Sequence, residues 1–566
     1  MRLKRHAAPV LRQSALRPLP LALTCRCTQH RHGSSSAAYP ERIAILGGGV
    51  AGLSSAYFVS REFPKSKITL FEAGKQTGGW IRSKRLPVPG GHVIFELGPR
   101  TLRNATVTAH LCQELDLVKD MTFTTRNDAA AKNRFVYYPD RLNRLPSAAP
   151  ALGDLFALWR SGILAGASGL IKEAWKPWRS HLLTDETVGS FLERRVDRRI
   201  ANNVVSAVFH GIYAGDIWNL SAKTLLSQAW QLEGKYGSAM RGFFAMQAES
   251  QGGVLTLAHP FDIEASRAMS QEFDIDDDFV DKMRNASTFT FKGGLQQIDT
   301  ALKRAVHKTG NVDIKTESPV LSTQPLKEKG QLGVSVTTGT KDKSTTASFD
   351  LAISTLRSPS LTPYVTVQTI NLFYTTPNLN PPGFGYLIPQ SVPFEQNPER
   401  ALGVIFDSSA TSGQDTAPGT KFTVMLGGHW WNGWASFPSD AEALDMAKSV
   451  LARHLGIKEE PAVSYVNLSQ DCIPQYTVGY EDRLRDFARG IGTEFGGRLR
   501  VVGNQFNGVG VNDVITGAWN MARGLRGYGW KSGSVGLDKV SNDMAWVPVL
   551  ASDLAYKKRG LDGAGQ

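Results

Sequence analysis

Three glycines near the start of the organised sequence have the spacing with which a backbone binds phosphate. Gly47, Gly49 and Gly52 form the pattern Gly-x-Gly-x-x-Gly directly after a short apolar segment. In such a pattern the first glycine permits a tight turn, the second admits a pyrophosphate to the backbone, and the third lets a helix pack on a strand. Glu72 follows Gly52 by 20 residues, where its carboxylate can accept hydrogen bonds from ribose hydroxyls. The pattern predicts a dinucleotide site without distinguishing FAD from NAD.

The segments around these glycines have the periodicities that position such a site. Residues 42–46 and 67–71 read as short buried strands, and residues 53–63 have apolar residues at helical spacing. A helix that starts at the last glycine presents unpaired N–H groups to the phosphates. Strand, helix, strand and acidic residue therefore occur in the required order, which a plain glycine turn in an empty α/β fold does not explain.

Two further glycine-rich segments favour a flavin. Gly78-Gly79-Trp80, with Arg82 nearby, resembles the extended flavin signature of the amine oxidase superfamily. Near the other end of the chain, a predicted strand precedes Gly508-Val509-Gly510, and Asn512-Asp513 can cap a helix. The dipole of that helix would stabilise negative charge on a reduced flavin ring. Both ends of the chain are therefore expected to build one cofactor site.

With both ends read, residues 41–530 resemble the protoporphyrinogen oxidase family, and specifically its mitochondrial eukaryotic members. The resemblance is carried, in chain order, by Leu46-Gly47-Gly48-Gly49 with Gly52-Leu53, Gly78-Gly79-Trp80-Ile81-Arg82-Ser83, Glu96-Leu97-Gly98-Pro99-Arg100-Thr101, Asn133-Arg134-Phe135, Tyr213-Ala214-Gly215-Asp216 with Leu220-Ser221, Lys292-Gly293-Gly294-Leu295, Gly383-Phe384-Gly385, and Gly508-Val509-Gly510-Val511-Asn512-Asp513. The first and last segments are shared across the superfamily, whereas the middle ones are specific to this family.

The resemblance implies FAD as the cofactor and a substrate cleft beside it. The implied FAD contacts are Gly47, Gly48, Gly49, Val50, Ala51, Gly52, Glu72, Ala73, Trp80, Gly98, Pro99, Arg100, Thr101, Val320, Asn504, Val509, Gly510 and Val511. The resemblance also implies four substrate contacts. Arg134 would pair with a propionate, Leu372 and Phe384 would line the cleft, and Gly215 would leave room beside the macrocycle. These residue types suit a broad apolar molecule with carboxylates at one edge, because arginine offers carboxylates a forked contact.

The reaction implied by the resemblance is the six-electron oxidation of protoporphyrinogen IX to protoporphyrin IX in haem biosynthesis, with O₂ as acceptor and H₂O₂ as by-product. The sequence shows no catalytic triad and no metal constellation, so no catalytic residue and no metal are assigned, and the proton acceptor is left open between water and a substrate nitrogen. Three alternatives stand: a flavin amine oxidase tethered through Cys472, a polyene desaturase, and an escort protein that has lost its cofactor.

Composition and charge set the compartment and exclude one class of partner. The chain has 566 residues and a net charge of +13, but residues 1–40 contain seven basic residues and no acidic one. This tail is typical of a mitochondrial presequence, with a disordered basic arm as the alternative. The rest of the chain has no block of Lys and Arg of the kind that binds nucleic acid. The four cysteines are too few for a disulfide framework.

A tract at residues 159–179 mixes Trp with Arg and Lys around an apolar centre that is too short to span a membrane. This is the composition of interfacial anchors, although a core helix with solvated charges has a similar one. We expect peripheral attachment to the inner mitochondrial membrane on its intermembrane-space face. A homodimer and docking to ferrochelatase are left open.

The expected fold class is α/β, with a discontinuous Rossmann-like FAD-binding domain, a mixed-sheet substrate domain and a helical membrane-associated domain. The expected bounds are 1–40 for the presequence; 41–125, 287–358 and 483–566 for the FAD-binding domain; 126–133, 244–286 and 359–482 for the substrate domain; and 134–243 for the helical domain.

Overall fold

A computed structural model describes residues 39–146, 158–250, 252–328, 331–340, 342–541 and 544–557. The expected presequence lies outside the described residues except for its last two positions. The described residues belong to one compact unit.

The strands of the described residues are numbered in chain order: β1 Arg42–Leu46, β2 Lys67–Phe71, β3 Ser83–Val88, β4 Gly91–Glu96, β5 Met121–Thr125, β6 Phe135–Tyr137, β7 Leu142–Arg144, β8 Leu255–Ala258, β9 Ala286–Phe291, β10 Val312–Lys315, β11 Val320–Glu328, β12 Gln331–Gly339, β13 Ser344–Phe349, β14 Leu351–Ser354, β15 Tyr364–Tyr374, β16 Gly385–Leu387, β17 Ala401–Phe406, β18 Thr420–Gly427, β19 Val463–Pro474, β20 Leu499–Val501 and β21 Val547–Leu550.

The α-helices are numbered in the same way: α1 Val50–Glu62, α2 Thr106–Glu114, α3 Ala129–Lys132, α4 Ser168–Lys172, α5 Val188–Arg195, α6 Arg198–Ile200, α7 Ser206–Tyr213, α8 Ala222–Leu225, α9 Ser227–Tyr236, α10 Ala239–Glu249, α11 Pro260–Glu272, α12 Asp277–Asn285, α13 Gln297–Lys308, α14 Asp407–Ala410, α15 Asp440–Leu455, α16 Tyr480–Phe495, α17 Asn504–Asn507, α18 Val511–Gly527 and α19 Asp538–Ser541.

A five-stranded parallel sheet in the order β10-β2-β1-β14-β20 carries the first glycine motif. Its central strand β1 is fully buried from Ile43 to Leu46, as expected of a parallel strand covered on both faces. Helices α1, α13 and α18 share one hydrophobic core with β1 and β2. Because β20 and α18 come from the last part of the chain, the two chain ends meet in this unit, and the prediction of an α/β fold is confirmed.

A seven-stranded mixed sheet in the order β19-β15-β18-β17-β16-β6-β7 is the second large sheet of the same unit. Only β16 and β6 pair in parallel; the other neighbours are antiparallel. One face packs on α15 through Ala443, Ala447 and Val450. The sequence boundary at residue 134 places β6 and β7 in the helical domain, but the structure places them at the edge of this sheet. Each has only three residues, too few for a periodicity to be read.

The segment from α4 to α10 is helical and is held together partly by buried charges. Arg195 pairs with Glu173, and Arg194 lies 2.5 Å from Glu233, whose side chain is fully buried. Removing one partner of such a pair would leave an uncompensated buried charge. Within the described residues, no helix combines the length and the apolar character needed to cross a membrane.

Candidate functional site

The turn between β1 and α1 has the geometry that the first glycine motif predicts. Gly47 has a φ of +103°, and a Cβ atom there would lie 2.4 Å from Oγ1 of Thr355. A Cβ atom at Gly52 would lie 1.8 Å from the carbonyl oxygen of Gly47, so the helix and the turn approach as closely as glycine allows. Helix α1 begins at Val50. Its N-cap residue is Gly49, so no side chain accepts a hydrogen bond from the first turn. Its first N–H groups are therefore available to a phosphate.

Glu72 is fixed at the end of β2 by backbone donors. The N–H of Gly48 donates to its Oε2 at 2.8 Å, and the N–H of Gly74 donates to its Oε1 at 2.6 Å. The carboxylate has further lone pairs and is only half-buried, so it can also accept from ribose hydroxyls. The N–H of Ser318 donates to the carbonyl of Glu72, which places the start of β11, and hence Val320, next to this acid.

The second glycine pair lies directly against the first motif. The N–H of Gly78 donates to the carbonyl of Gly48 at 2.9 Å, and a Cβ atom at Gly79 would lie 3.2 Å from Cα of Gly49. A Cβ atom at Gly98 would in turn lie 2.3 Å from the carbonyl oxygen of Trp80. Three segments separated in sequence, residues 47–52, 78–80 and 98, thus form one continuous backbone surface, which we call the glycine surface. The side chain of Trp80 is exposed beside it.

The side chain of Arg100 has a protein partner, and the predicted contact of this residue with FAD stays a prediction. Its guanidinium donates to Oδ1 of Asp407 at 2.8 Å, and both side chains are buried. Asp407 also accepts a hydrogen bond from Thr423. The Arg100 side chain therefore joins the glycine surface to the seven-stranded sheet.

The C-terminal motif completes the surface from the other end of the chain. Helix α18 begins at Val511, and the N–H of Gly510 donates to Oδ2 of Asp513 at 3.2 Å. Burial raises the pKa of the Asp513 carboxyl. The side chain of Asn512 accepts from Thr108 at 2.8 Å and donates to the carbonyl of Arg103 at 2.9 Å. Helix α18 is thereby held against the segment that follows Gly98.

The remaining residues assigned to the cofactor lie on these same segments: Ala51 in the first turn of α1, Ala73 after β2, Pro99 and Thr101 beside Arg100, Asn504 in α17, and Val509 in the loop before α18. The chemistry of the assembled groups fits FAD. A pyrophosphate needs N–H donors and close backbone approach, a ribose needs a hydrogen-bond acceptor, and a reduced flavin needs positive potential, which a helix N-terminus supplies.

Two of the predicted substrate residues are brought together. The N–H of Phe384 donates to the carbonyl of Asn133 at 3.0 Å, so Phe384 lies beside Arg134, at the start of β6. Burial, and next the positive charge of Arg103, lower the pKa of Arg134. Within the part of the chain that the structure describes, no carboxylate pairs with the Arg134 guanidinium. Arg134 is therefore a partly buried cation with a second cation nearby, which suits an anionic ligand.

The other two predicted substrate residues have protein neighbours. Leu372 is fully buried on the face of β15 that packs on α15. A Cβ atom at Gly215 would lie 2.3 Å from Oε1 of Gln475 and 2.8 Å from Cδ1 of Leu220, so the space beside this glycine is filled. Their roles in substrate binding stay predictions.

Sequence reasoning missed an apolar surface on α7. Val208, Gly211 and Ile212 are exposed together at helical spacing, and a Cβ atom at Gly211 would lie 2.9 Å from the side chain of Leu387 in β16. Because β16 pairs with β6, this surface lies near Arg134. The signal in the sequence is that α7 is apolar on more faces than a single core contact requires.

A cavity of about 810 Å³ adjoins the C-terminal glycine loop. Tyr213, Tyr476 and Gly508 line one end, but charged residues such as Lys223 and Glu481 line the rest. This mixed lining differs from the apolar walls expected around a macrocycle.

Cys472 does not have the properties of a flavin tether. Burial in β19 raises the pKa of its thiol to about 12, and its Sγ donates to the carbonyl of Val365 at 3.6 Å. Covalent attachment needs a reactive thiolate. The alternative of a flavin amine oxidase tethered through this residue thus loses its structural basis.

A family model described as "Flavin containing amine oxidoreductase" matches residues 50–525. A protoporphyrinogen oxidase of Schizosaccharomyces pombe is 33% identical over 503 residues, covering 85% of this chain and 98% of the relative. A protoporphyrinogen oxidase of Homo sapiens is 30% identical, covering 84% of this chain and 96% of the relative.

Solved structures share the fold. A protein from Exiguobacterium sp., described provisionally as a protoporphyrinogen oxidase, superposes with a TM-score of 0.62 at 20% identity, covering 86% of this chain and 98% of the other. A redesigned putrescine oxidase superposes with a TM-score of 0.53 at 14% identity, covering 86% and 99%.

Proposed function

We propose that this chain, which belongs to the family of flavin containing amine oxidoreductases, oxidises protoporphyrinogen IX to protoporphyrin IX as a step of haem biosynthesis. The chain is an FAD-dependent oxidoreductase. Relatives that it covers almost end to end carry the name protoporphyrinogen oxidase, which supports the choice of substrate.

The observation that carries the proposal is the partly buried guanidinium of Arg134, which has no carboxylate partner among the described residues and lies beside Phe384. A porphyrinogen is a broad apolar ring with two propionates at one edge. Arg134, with Arg103 nearby, offers positive charge at one edge of the site, while Phe384 and the exposed face of α7 offer apolar contact. An amine substrate would be repelled by the same two cations.

The residues of this chain bind and orient the substrate, and the proposed oxidation proceeds in three two-electron rounds. FAD, when bound, supplies the two-electron acceptor of each round. Arg134 would fix the propionate edge, so that the bridging carbons of the ring face the cofactor surface. Apolar contact with Phe384 and α7 would exclude water from the reacting carbon. We further propose that O₂ is the final acceptor and that H₂O₂ is released.

Aerobic turnover of protoporphyrinogen IX by the purified FAD-loaded protein tests the proposal. Porphyrin fluorescence should rise, and oxygen consumption should match H₂O₂ formation at three equivalents per porphyrin. A flavin-loaded protein that oxidises amines or polyenes, and leaves protoporphyrinogen at its uncatalysed rate, would refute the assignment. Fluorescence growth without H₂O₂ would keep the substrate and reject O₂ as acceptor.

The Trp-rich tract supports peripheral attachment to the inner mitochondrial membrane. Ile171, Trp175 and Leu182 are among the most exposed apolar residues described, at 71%, 78% and 91%, and Phe244 on α10 is also exposed. Trp side chains at an interface combine an apolar ring with a polar N–H group. We propose that this surface binds the membrane on its intermembrane-space face. Residues 1–40 would act as a presequence that is cleaved after import.

Flotation with liposomes of inner-membrane composition tests this attachment. The double variant Ile171→Ser/Trp175→Ser should remain at the bottom of the gradient, whereas the wild type should float. Trp434→Ser is a matched control, because Trp434 is 47% exposed but lies outside the helical segment. Equal flotation of all three proteins would reject this surface. A homodimer and docking to ferrochelatase stay predictions, and light scattering of the eluted protein tests the first.

A further inference from the structure

The surface of the Trp-rich tract, residues 159–179, carries positive charge between its apolar side chains. Arg160 and Lys172 are exposed, and neither pairs with a carboxylate in the part of the chain that the structure describes. The acidic residue of the tract, Glu173, is buried and bonded to Arg195. The exposed face of the tract is therefore both cationic and apolar, and these two properties together favour binding to an anionic membrane surface.

The rest of the helical segment, residues 158–250, does not offset this charge. The segment contains 11 basic and 8 acidic residues. Glu193 lies 3.6 Å from Arg198, and Asp197 lies 3.0 Å from its neighbour Arg199. These acidic side chains are thus paired locally, and a net positive charge remains on the segment.

A pocket of about 300 Å³ lies at the end of the tract and has two tryptophans, Trp178 and Trp230, in its lining. A Cβ atom at Gly237 would lie 2.3 Å from Cε2 of Trp178, so the indole packs on this glycine, while much of the Trp178 side chain is exposed. The volume is at the lower end of the range for ligand sites. The pocket therefore suits a polar head group rather than a whole lipid.

Arg179 is held in the pocket and keeps N–H groups for a ligand. Its guanidinium lies over the Trp230 ring, 3.7 Å from the ring centroid. Nη1 donates to the carbonyl oxygen of Trp230 at 3.1 Å and to Oε2 of Glu233 at 3.3 Å. Arginine has five N–H groups, and within the described residues no acceptor binds those on Nε and Nη2. These donors of a fixed cation therefore remain for the oxygen atoms of a ligand.

Glu233 also lines the pocket, but its charge is compensated inside the protein. The carboxylate is fully buried and lies 2.5 Å from Arg194 and 3.5 Å from Arg195, in addition to its contact with Arg179. These side chains belong to a network of three carboxylates and three arginines: Glu173, Glu186, Glu233, Arg179, Arg194 and Arg195. The network is neutral as a whole, so it does not repel an anion bound at Arg179.

Lys223 places a second cation in the lining of the pocket. Its Nζ lies 3.4 Å from Oε2 of Glu481, and because an ammonium has three N–H groups, this contact leaves donors for a ligand. Ser180 and Thr184, which carry hydroxyl groups, also line the pocket. These donors match the oxygen atoms of a phosphate group, and the indole rings match the adjoining glycerol and first methylene groups.

We propose that the helical segment binds anionic phospholipids, and that the phosphodiester group of one such lipid binds Arg179 and Lys223 in this pocket. The inference rests on the membrane attachment of the proposed function and names the class of lipid. Trp175 and Leu182, close in sequence to the pocket residues, are highly exposed and would contact acyl chains, whereas a soluble phosphate ester would leave them in water. A choline head group would bring a further cation towards those of the pocket, so an anionic lipid is favoured.

Flotation of the FAD-loaded protein with vesicles of two compositions tests the class of lipid. Binding to phosphatidylcholine vesicles that contain phosphatidylglycerol should be tighter, by about tenfold or more, than binding to phosphatidylcholine alone, since each cation near an anionic surface contributes about fivefold. Added salt should reduce this difference. Equal binding to both vesicles would keep the membrane attachment and overturn the inference, whereas binding to neither would overturn both.

Substitutions at the pocket distinguish a head-group site from general surface charge. Arg179→Gln and Lys223→Gln should each weaken binding of a monomeric short-chain phosphatidylglycerol, measured by isothermal titration calorimetry, by about tenfold or more, as expected for loss of a charged hydrogen bond. Lys172→Gln is the matched control, because it removes an exposed cation of the same tract that is not in the lining of the pocket. This control should weaken vesicle binding about fivefold and leave binding of the monomeric lipid unchanged. Wild-type affinity for the monomeric lipid in both pocket variants would overturn the pocket as the site.

Gly234→Ala displaces the guanidinium without removing a charge. A Cβ atom at Gly234 would lie 2.7 Å from Nη2 of Arg179, and alanine favours the helical backbone of α9, so the variant should unfold at the temperature of the wild type or above it. Its affinity for the monomeric lipid should fall about tenfold. Wild-type affinity in this folded variant would overturn the contact with Arg179, even where Arg179→Gln fails to fold.

Inorganic phosphate is the competing ligand that separates a lipid site from a site for free phosphate. At equal concentration it should not displace the short-chain lipid, because it makes no contact with the indole rings through glycerol or acyl groups. Full displacement would identify a free-phosphate site and overturn the assignment to a lipid. None of these measurements uses turnover, so an inactive wild type that binds anionic vesicles would refute the proposed oxidation and leave this inference standing.

Discussion

Mild acid should destabilise the folded chain through His210. Its pKa is about 3 in the folded protein and about 6.5 in an unfolded chain. Between these values the unfolded state binds a proton that the folded state does not, so stability falls as pH decreases. The loss begins below about pH 6.5 and is complete below the folded pKa. At pH 5 it amounts to about 2 kcal/mol relative to pH 7.5.

This loss is a substantial fraction of the total stability of a folded protein, about 5–15 kcal/mol. His429 and His454 act in the same direction, since burial lowers their pKa values to about 4. Buried carboxyls act in the opposite direction: burial raises the pKa of Glu96 and of Asp299, so these groups bind protons more readily when folded. The contribution of His210 is therefore obtained from the difference between variant and wild type.

Urea unfolding of the FAD-saturated protein, followed by tryptophan fluorescence from pH 7.5 to pH 4.5, measures this difference. His210→Gln should reduce the slope of unfolding free energy against pH by about one proton, or about 1.4 kcal/mol per pH unit. His307→Gln is the control, because His307 is exposed and its ring is solvated in both states. Equal slopes in His210→Gln and the wild type would refute the reasoning, and a reduced slope in His307→Gln would show that burial is not its cause.

Three further perturbations address the site itself. Arg134→Ala should raise KM for protoporphyrinogen about 10- to 100-fold, which corresponds to the loss of a charged hydrogen bond, and should retain FAD. The control Arg141→Ala, at an exposed arginine, should leave KM unchanged. Equal KM values in Arg134→Ala and the wild type would rule out the propionate contact. Glu72→Gln should weaken FAD binding about tenfold, as read from absorbance near 450 nm after dialysis, because one charged acceptor is lost; full retention of FAD would contradict the ribose assignment. Gly52→Ala should abolish FAD binding, since its Cβ atom would lie 1.8 Å from a carbonyl oxygen, whereas Gly490→Ala has no neighbour within 4 Å and should bind FAD normally.

The cofactor surface could be predicted because its parts are local. The turn at residues 47–52 and the acid at Glu72 are specified by glycines and by strand ends within about 30 residues, and each rests on one steric requirement. Residues 78–79 add a second such requirement. No long-range contact has to be known before these segments are recognised.

The substrate side could not be predicted with the same success because its parts depend on which face of a strand is buried. Strand β15 is buried on both faces, and its polar residues are buried as well as its apolar ones, so period-two patterning does not show what Leu372 contacts. The side chains of His210 and His429 are in contact although they are 219 residues apart, and no local pattern relates them. The contact between Arg100 and Asp407 spans 307 residues and is even more remote in sequence.

That last contact has a consequence for how the two sheets work together. Arg100 belongs to the backbone surface that would hold FAD, and its partner Asp407 begins α14, directly after β17 of the seven-stranded sheet. Asp407 accepts from Thr423, whose hydroxyl also lies 2.7 Å from Asn371, so the pair is tied to the interior of that sheet. Two buried charges are costly to separate, because either one alone would be desolvated without compensation. A shift of the glycine surface away from the seven-stranded sheet would therefore break the pair, so this contact opposes movement of one relative to the other. Under the proposed function, the pair would help to hold the cofactor surface and the seven-stranded sheet at the separation that transfer between the two ligands needs.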